Sequence, residues 1–121
     1  MAGKLYRMEE VAANNDKTFV SQQYATIASH SVTITLAAVA GEKYYIQQVT
    51  LAGTAGGGGA EAIVIKKGTT DAHTDSFTVG TVKSIPFNGY GFVGNEGEAV
   101  TIVASATNLT AAKLCVVGFR K

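Results

Sequence analysis

Two histidines, one cysteine and nine acidic side chains carry most of the acid–base, nucleophilic and metal-binding capacity of this 121-residue chain. Asp71, His73 and Asp75 alternate, so on an extended segment they would point the same way and could hold a divalent cation. Acid-rich polar loops of this kind usually hold none, and no metal is expected. Cys115 lies among Leu114, Val116 and Val117, the setting of a small core residue rather than an activated thiolate. A hydrolase triad would need His30 or His73 to meet a serine and a carboxylate, and no motif marks such a meeting. The acids fall mostly in turn-forming stretches, and nothing pairs two of them for glycoside hydrolysis.

The run Gly53-Thr54-Ala55-Gly56-Gly57-Gly58-Gly59 could let backbone N–H groups approach a phosphate. A phosphate-binding loop then needs Lys with Ser or Thr and a following helix. Here Ala60–Lys67 follows, which reads as a strand, so a hairpin tip is expected. Asn108-Leu109-Thr110 matches a glycosylation acceptor but is read as a plain turn. Tyr90 and Phe92 flank Gly91 after the chain's single proline, Pro86. Exposed there, they could stack on a sugar; the alternative is that Phe87 and Phe92 are core and the glycines shape an irregular strand. No enzyme activity and no cofactor are expected.

The elements that would position these residues are strands. From Tyr44 to Ala60 no side chain is charged, and Tyr44, Tyr45, Ile46, Val49 and Thr50 all favour strands. Val32, Ile34 and Leu36 before this stretch, and Ile63 and Ile65 after it, alternate with period two. The pattern predicts strands at 18–27, 32–36, 44–51, 62–67, 76–79, 82–87, 99–105 and 113–119, separated by turn clusters such as Gly68-Thr69-Thr70-Asp71 and Gly94-Asn95-Glu96-Gly97. About eight short strands in one small domain predict an all-β sandwich, jelly roll or barrel. Within 44–51 the apolar phase switches between Ile46 and Val49. A bulge at Gln47-Gln48 would reconcile the halves, as would a strand passing between two sheet environments. The last strand is apolar on both faces, Leu114 and Val116 on one, Cys115, Val117 and Phe119 on the other. With no third layer in a single sandwich, another chain is expected to cover its outer side.

Composition narrows the partners. Charged residues make up 16% of the chain, below the roughly 25% usual for soluble domains, so Ser, Thr, Ala, Gly and Gln must cover much of the surface. Part of that neutral surface is expected to face other subunits. A net charge of +1 without a basic run argues against nucleic acid and against electrostatic membrane binding. No apolar run long enough to span a membrane occurs. Lys4, Arg7, Glu9 and Glu10 occupy the place of a signal sequence, which argues against Sec export and for a product made in the cytoplasm. Leu5, Met8 and Ala12 sit at helical spacing, so the N-terminal segment reads as a short helix or an arm, with a packed first strand as the alternative; taken as an arm, residues 1–16 leave 17–121 as the β-sandwich domain.

The segments HSVTITLAAVAGEKYYIQQVTLAG and IPFNGYGFVGNEGEAVTIVASATNLTAAKLCVVGFRK resemble small jelly-roll proteins of tailed-bacteriophage virions. These include capsid decoration (cement) proteins and head or tail fibre modules. The resemblance covers roughly Val20 to the end and rests on strand order rather than on a diagnostic residue. It implies a jelly-roll-like sandwich of about eight antiparallel strands. It also implies a homo-oligomer on the outer surface of a phage head that binds the major capsid protein and reinforces the lattice. A trimer is expected in preference to a dimer. The arm supplies the candidate capsid contacts Leu5, Tyr6, Arg7 and Met8. The last strand supplies the candidate oligomer contacts Leu114, Val116, Val117 and Phe119. The competing expectation is a receptor- or carbohydrate-binding module of a fibre, which would need exposed aromatics at Tyr90 or Tyr44-Tyr45.

Overall fold

The computed structural model describes residues 18–24, 30–54, 61–77, 82–87, 91–106, 109 and 111–121. They form strands β1 (Thr18–Tyr24), β2 (Ser31–Leu36), β3 (Tyr44–Thr54), β4 (Glu61–Lys67), β5 (Thr70–Ser76), β6 (Val82–Pro86), β7 (Phe92–Val93), β8 (Val100–Ala106) and β9 (Ala111–Arg120). No helix occurs among the described residues. One sheet runs β1-β9-β3-β6, with β7 also on β3, and the other runs β2-β8-β4-β5. Every pairing is antiparallel.

β6 and β7 follow one another along the same edge of β3, β6 beside Gln48–Ala52 and β7 beside Tyr45-Ile46. They act as a single edge strand interrupted between Phe87 and Gly91. Counted so, the described residues form eight strands in two four-stranded sheets, and among these strands β4 and β5 alone follow one another within a sheet. This is a jelly roll.

The core fills the space between the sheets. Ile34, Ile46, Leu51, Ile63, Ile65, Ile102, Leu109 and Leu114 are fully buried, each worth about 1.5–3 kcal/mol of burial. The phase switch in β3 is a bulge, because its register against β9 shifts between Ile46 and Gln48. Inserting Gln47 brings Tyr44, Ile46, Val49 and Leu51 all to the inner face. Two glycines make room for it. A Cβ on Gly118 of β9 would lie 2.2 Å from the Tyr45 carbonyl oxygen, and one on Gly91 would lie 2.2 Å from that of Ile46.

β5 departs from the expected pattern. The sequence reading places a turn at 68–71 and a strand at 76–79, of which Thr78 and Val79 lie outside the described residues. Instead a two-residue turn with Gly68 at φ 60° returns the chain at once, and Thr70–Ser76 pairs with β4. An edge strand needs few apolar residues, so TDAHTDS carries no period-two apolar signal.

At the end of the sandwich where β3 starts, the Tyr44 hydroxyl donates to the Ala37 carbonyl at 2.6 Å, and Arg120 pairs with Glu42 at 3.1 Å. Tyr44→Phe should remove that bond and cost about 1 kcal/mol, measured as a shift in the urea midpoint at unchanged slope.

Candidate interaction surfaces

The two histidines and the cysteine are not brought together. His30 stands just before β2, at one edge of its sheet, and His73 stands on β5 at the opposite edge. His30 adopts φ 61°, a conformation histidine tolerates better than most side chains. Its ring Nδ1–H donates to the Leu109 carbonyl at 3.0 Å, a structural tie between the start of β2 and the segment that follows β8.

His73, Asp71 and Asp75 do not share a face. The register of β5 against β4 shifts, with Ile65 opposite His73 but Lys66 opposite Asp71, so Ala72 is the bulged residue. Asp71 is thereby turned outward, 3.7 Å from Lys66, while His73 and Asp75 follow Ile65 and Ile63 toward the inner side. The His73 ring meets Phe87 edge-on at 5.2 Å between centroids, and its Nε2 is buried without a hydrogen-bond partner. Among the described residues no three His, Cys, Asp or Glu side chains are grouped to hold a metal ion.

Asp75 and Lys83 join the two sheets across this flank at 3.4 Å, each about one-third exposed. The Asp75 carboxyl is held below its ordinary value chiefly by the Ser76 N–H, which donates to Oδ1 at 2.8 Å; burial opposes this and Lys83 adds to it. A lowered folded value means that Asp75 contributes stability above its unfolded pKa of about 3.9. That contribution is lost as pH falls below about 4 toward the folded value. Urea unfolding of the wild type and of Asp75→Asn should converge on acidification through this range, and parallel pH profiles would show that Asp75 contributes nothing.

The aromatics named for sugar binding stand in different settings. Tyr44 is buried. Tyr45 stacks on Phe119 at 4.8 Å and 14°, and Tyr90 lies outside the described residues. Phe87 and Phe92 pack against the core, with Lys67 Nζ 5.3 Å above the Phe92 ring. That agrees with the core alternative for these two.

Of the oligomer candidates, Leu114 and Val116 face inward with no exposed surface, because β9 lies within its sheet and directs them onto the opposite sheet. They belong to the core and present nothing to a partner. Val117 and Phe119 face outward with the half-buried Cys115, and Val117 is 41% exposed. Val82 on β6, 69% exposed, is on the same outer face. Between them Gln48 and Thr50 bond to Ser84 at 3.0 and 3.3 Å. Among the described residues, charges lie only toward the two ends of this face, at Lys113 and at Lys43 and Lys121. Leu5, Tyr6, Arg7 and Met8 lie outside the described residues, as does most of the Gly53–Gly59 run.

The outer face of the other sheet is built in rows across β2, β8, β4 and β5: Ser31–Ser105–Ala62–Ser76, Thr33–Val103–Val64–Thr74 and Thr35–Thr101–Lys66–Asp71. Only the last row is charged, and its ion pair is exposed enough to add little stability. Sequence reasoning could anticipate both faces only as a shortage of charge, since neither carries a motif. Compared with models of protein families, with curated proteins and with solved structures, the chain has no match.

Proposed function

We propose that this chain is a virion structural protein, a decoration or cement protein that binds the outer surface of a phage head and stabilises its capsid lattice. The observation that carries the reading is the outer face of the β1-β9-β3-β6 sheet. An outer face that exposes Val117 and Val82 and half-buries Cys115, with charge among the described residues only toward its ends, supports covering by another subunit. On this reading the face joins copies of the chain into a homotrimer, and residues 1–16 with the adjacent loops contact the major capsid protein. The protein performs no catalytic step and needs no cofactor. The resemblance of the strand order to phage decoration proteins supports the same assignment.

The mechanism is mechanical. Each contact of this class buries on the order of 1,000–2,000 Å², and many such contacts on one shell add through multivalency. The decorated lattice is then favoured over separated subunits by mass action. Sedimentation of the purified protein, alone and mixed with expanded shells of the capsid protein, tests this. A trimer that co-sediments saturably with shells is expected, and a chain lacking residues 1–16 should remain trimeric but stay in the supernatant. A monomer at high concentration that ignores shells would overturn the proposal.

A further inference from the structure

The two flanks of the sandwich are built differently. At the β5/β6 flank each edge is guarded against pairing with another strand. β5 has its bulge at Ala72 and carries Asp71 and Asp75. β6 carries Lys83, ends in Pro86, which has no N–H to offer, and is interrupted before β7. At the β1/β2 flank neither TFVSQQY nor SVTITL contains a charge or a proline. Neither strand shows a register shift against its neighbour.

The backbone groups that β2 leaves outward can be identified. Ala106 N–H donates to the His30 carbonyl, which makes 30/106 a hydrogen-bonded pair. The bonded pairs then continue as 32/104, 34/102 and 36/100 in the observed register. On the other side of β8, Gly68 N–H donates to Ala99, so the odd residues of β8 bond to β4 and the even ones to β2. The N–H and C=O groups of Thr33 and Thr35 therefore point away from the sheet, and no described strand receives them.

We infer that β2 pairs antiparallel with β2 of a second copy about a twofold axis through Ile34, joining the two sheets into one. This register sets Thr33 opposite Thr35 of the second copy, twice, so that all the outward groups of both residues are bonded. It also keeps faces in phase: Thr meets Thr outside, while Ile34 meets Ile34 and Val32 meets Leu36 on the core side. A strand without charge can lie against its own copy, whereas Asp71 and Asp75 give β5 no such freedom. A register one residue away would set bonded groups against outward ones and is excluded. The contact is a short one, so it forms at high local concentration and joins oligomers rather than building them. It stands independently of any shell.

Amide hydrogen exchange of the full chain at low and high concentration tests the inference. The Thr33 and Thr35 amides should be slowed by about tenfold or more on concentration, with Val32 and Ile34 protected throughout. Two double variants test the register: Thr33→Lys/Thr35→Lys sets like charges opposite one another and should abolish the slowing at both positions. Thr33→Lys/Thr35→Glu sets opposite charges there and should keep it. Both side chains face outward, so an unchanged far-UV spectrum and melting temperature will certify each fold. Exchange at Thr33 and Thr35 that does not depend on concentration in the wild type, or equal slowing in the two variants, would overturn the pairing.

Discussion

Gly118→Ala is expected to cost about 3 kcal/mol or more, beyond the usual range for one added methyl in a core. The new Cβ would sit 2.2 Å from the Tyr45 carbonyl oxygen and 3.0 Å from the Ile46 Cα. Both obstacles are backbone of the adjacent strand, so no side-chain rotation relieves them. β3 and β9 would have to separate where the bulge already interrupts their register. Gly97→Ala is the control: its φ is 70° but nothing lies within 4 Å of the added Cβ. It should cost only the roughly 1–2 kcal/mol of left-handed backbone strain. Urea unfolding of the two variants measures the difference. Equal losses would mean that β9 does not pass β3 as closely as described.

The second large effect separates adjacent residues of β9. Val117→Asp should leave the fold intact and weaken self-association about 100-fold or more, since a carboxylate would be desolvated in the contact without a partner. Val116→Asp should prevent folding, because Val116 has no exposed surface. Cys115, half-buried on the same face as Val117, reports the outcome chemically. Its thiol should react slowly with a maleimide in the wild-type oligomer and rapidly in Val117→Asp. A Val117→Asp chain that sediments like the wild type, with Cys115 equally protected, would place the oligomer contact elsewhere.

How much of this was legible beforehand depended on whether a feature left a trace in the apolar pattern. The β3 bulge did, because Ile46 and Val49 are three apart and both must face inward. The partition of β9 into Leu114 and Val116 against Cys115, Val117 and Phe119 was equally plain, but not which side was core, since both are apolar. β5 left no trace: its outer side faces solvent, and its inner positions hold His73 and Asp75 at the rim. The alternation of Asp71, His73 and Asp75 misled for a related reason. A bulge at Ala72 reverses which face Asp71 takes, and only the register against β4 reveals it. The split of β6 from β7 was half visible, as Pro86 and Gly91 suggested an irregular strand without showing that both halves share one edge.

The measurement that bears most directly on the proposed role is the disassembly temperature of expanded capsid shells, recorded with and without saturating protein. The account predicts a higher temperature with the full chain. It predicts no change with a chain lacking residues 1–16, and a smaller rise with Val117→Asp, where the oligomer no longer spans several capsid subunits. Shells that disassemble at the same temperature whether or not the full-length protein is present would contradict it.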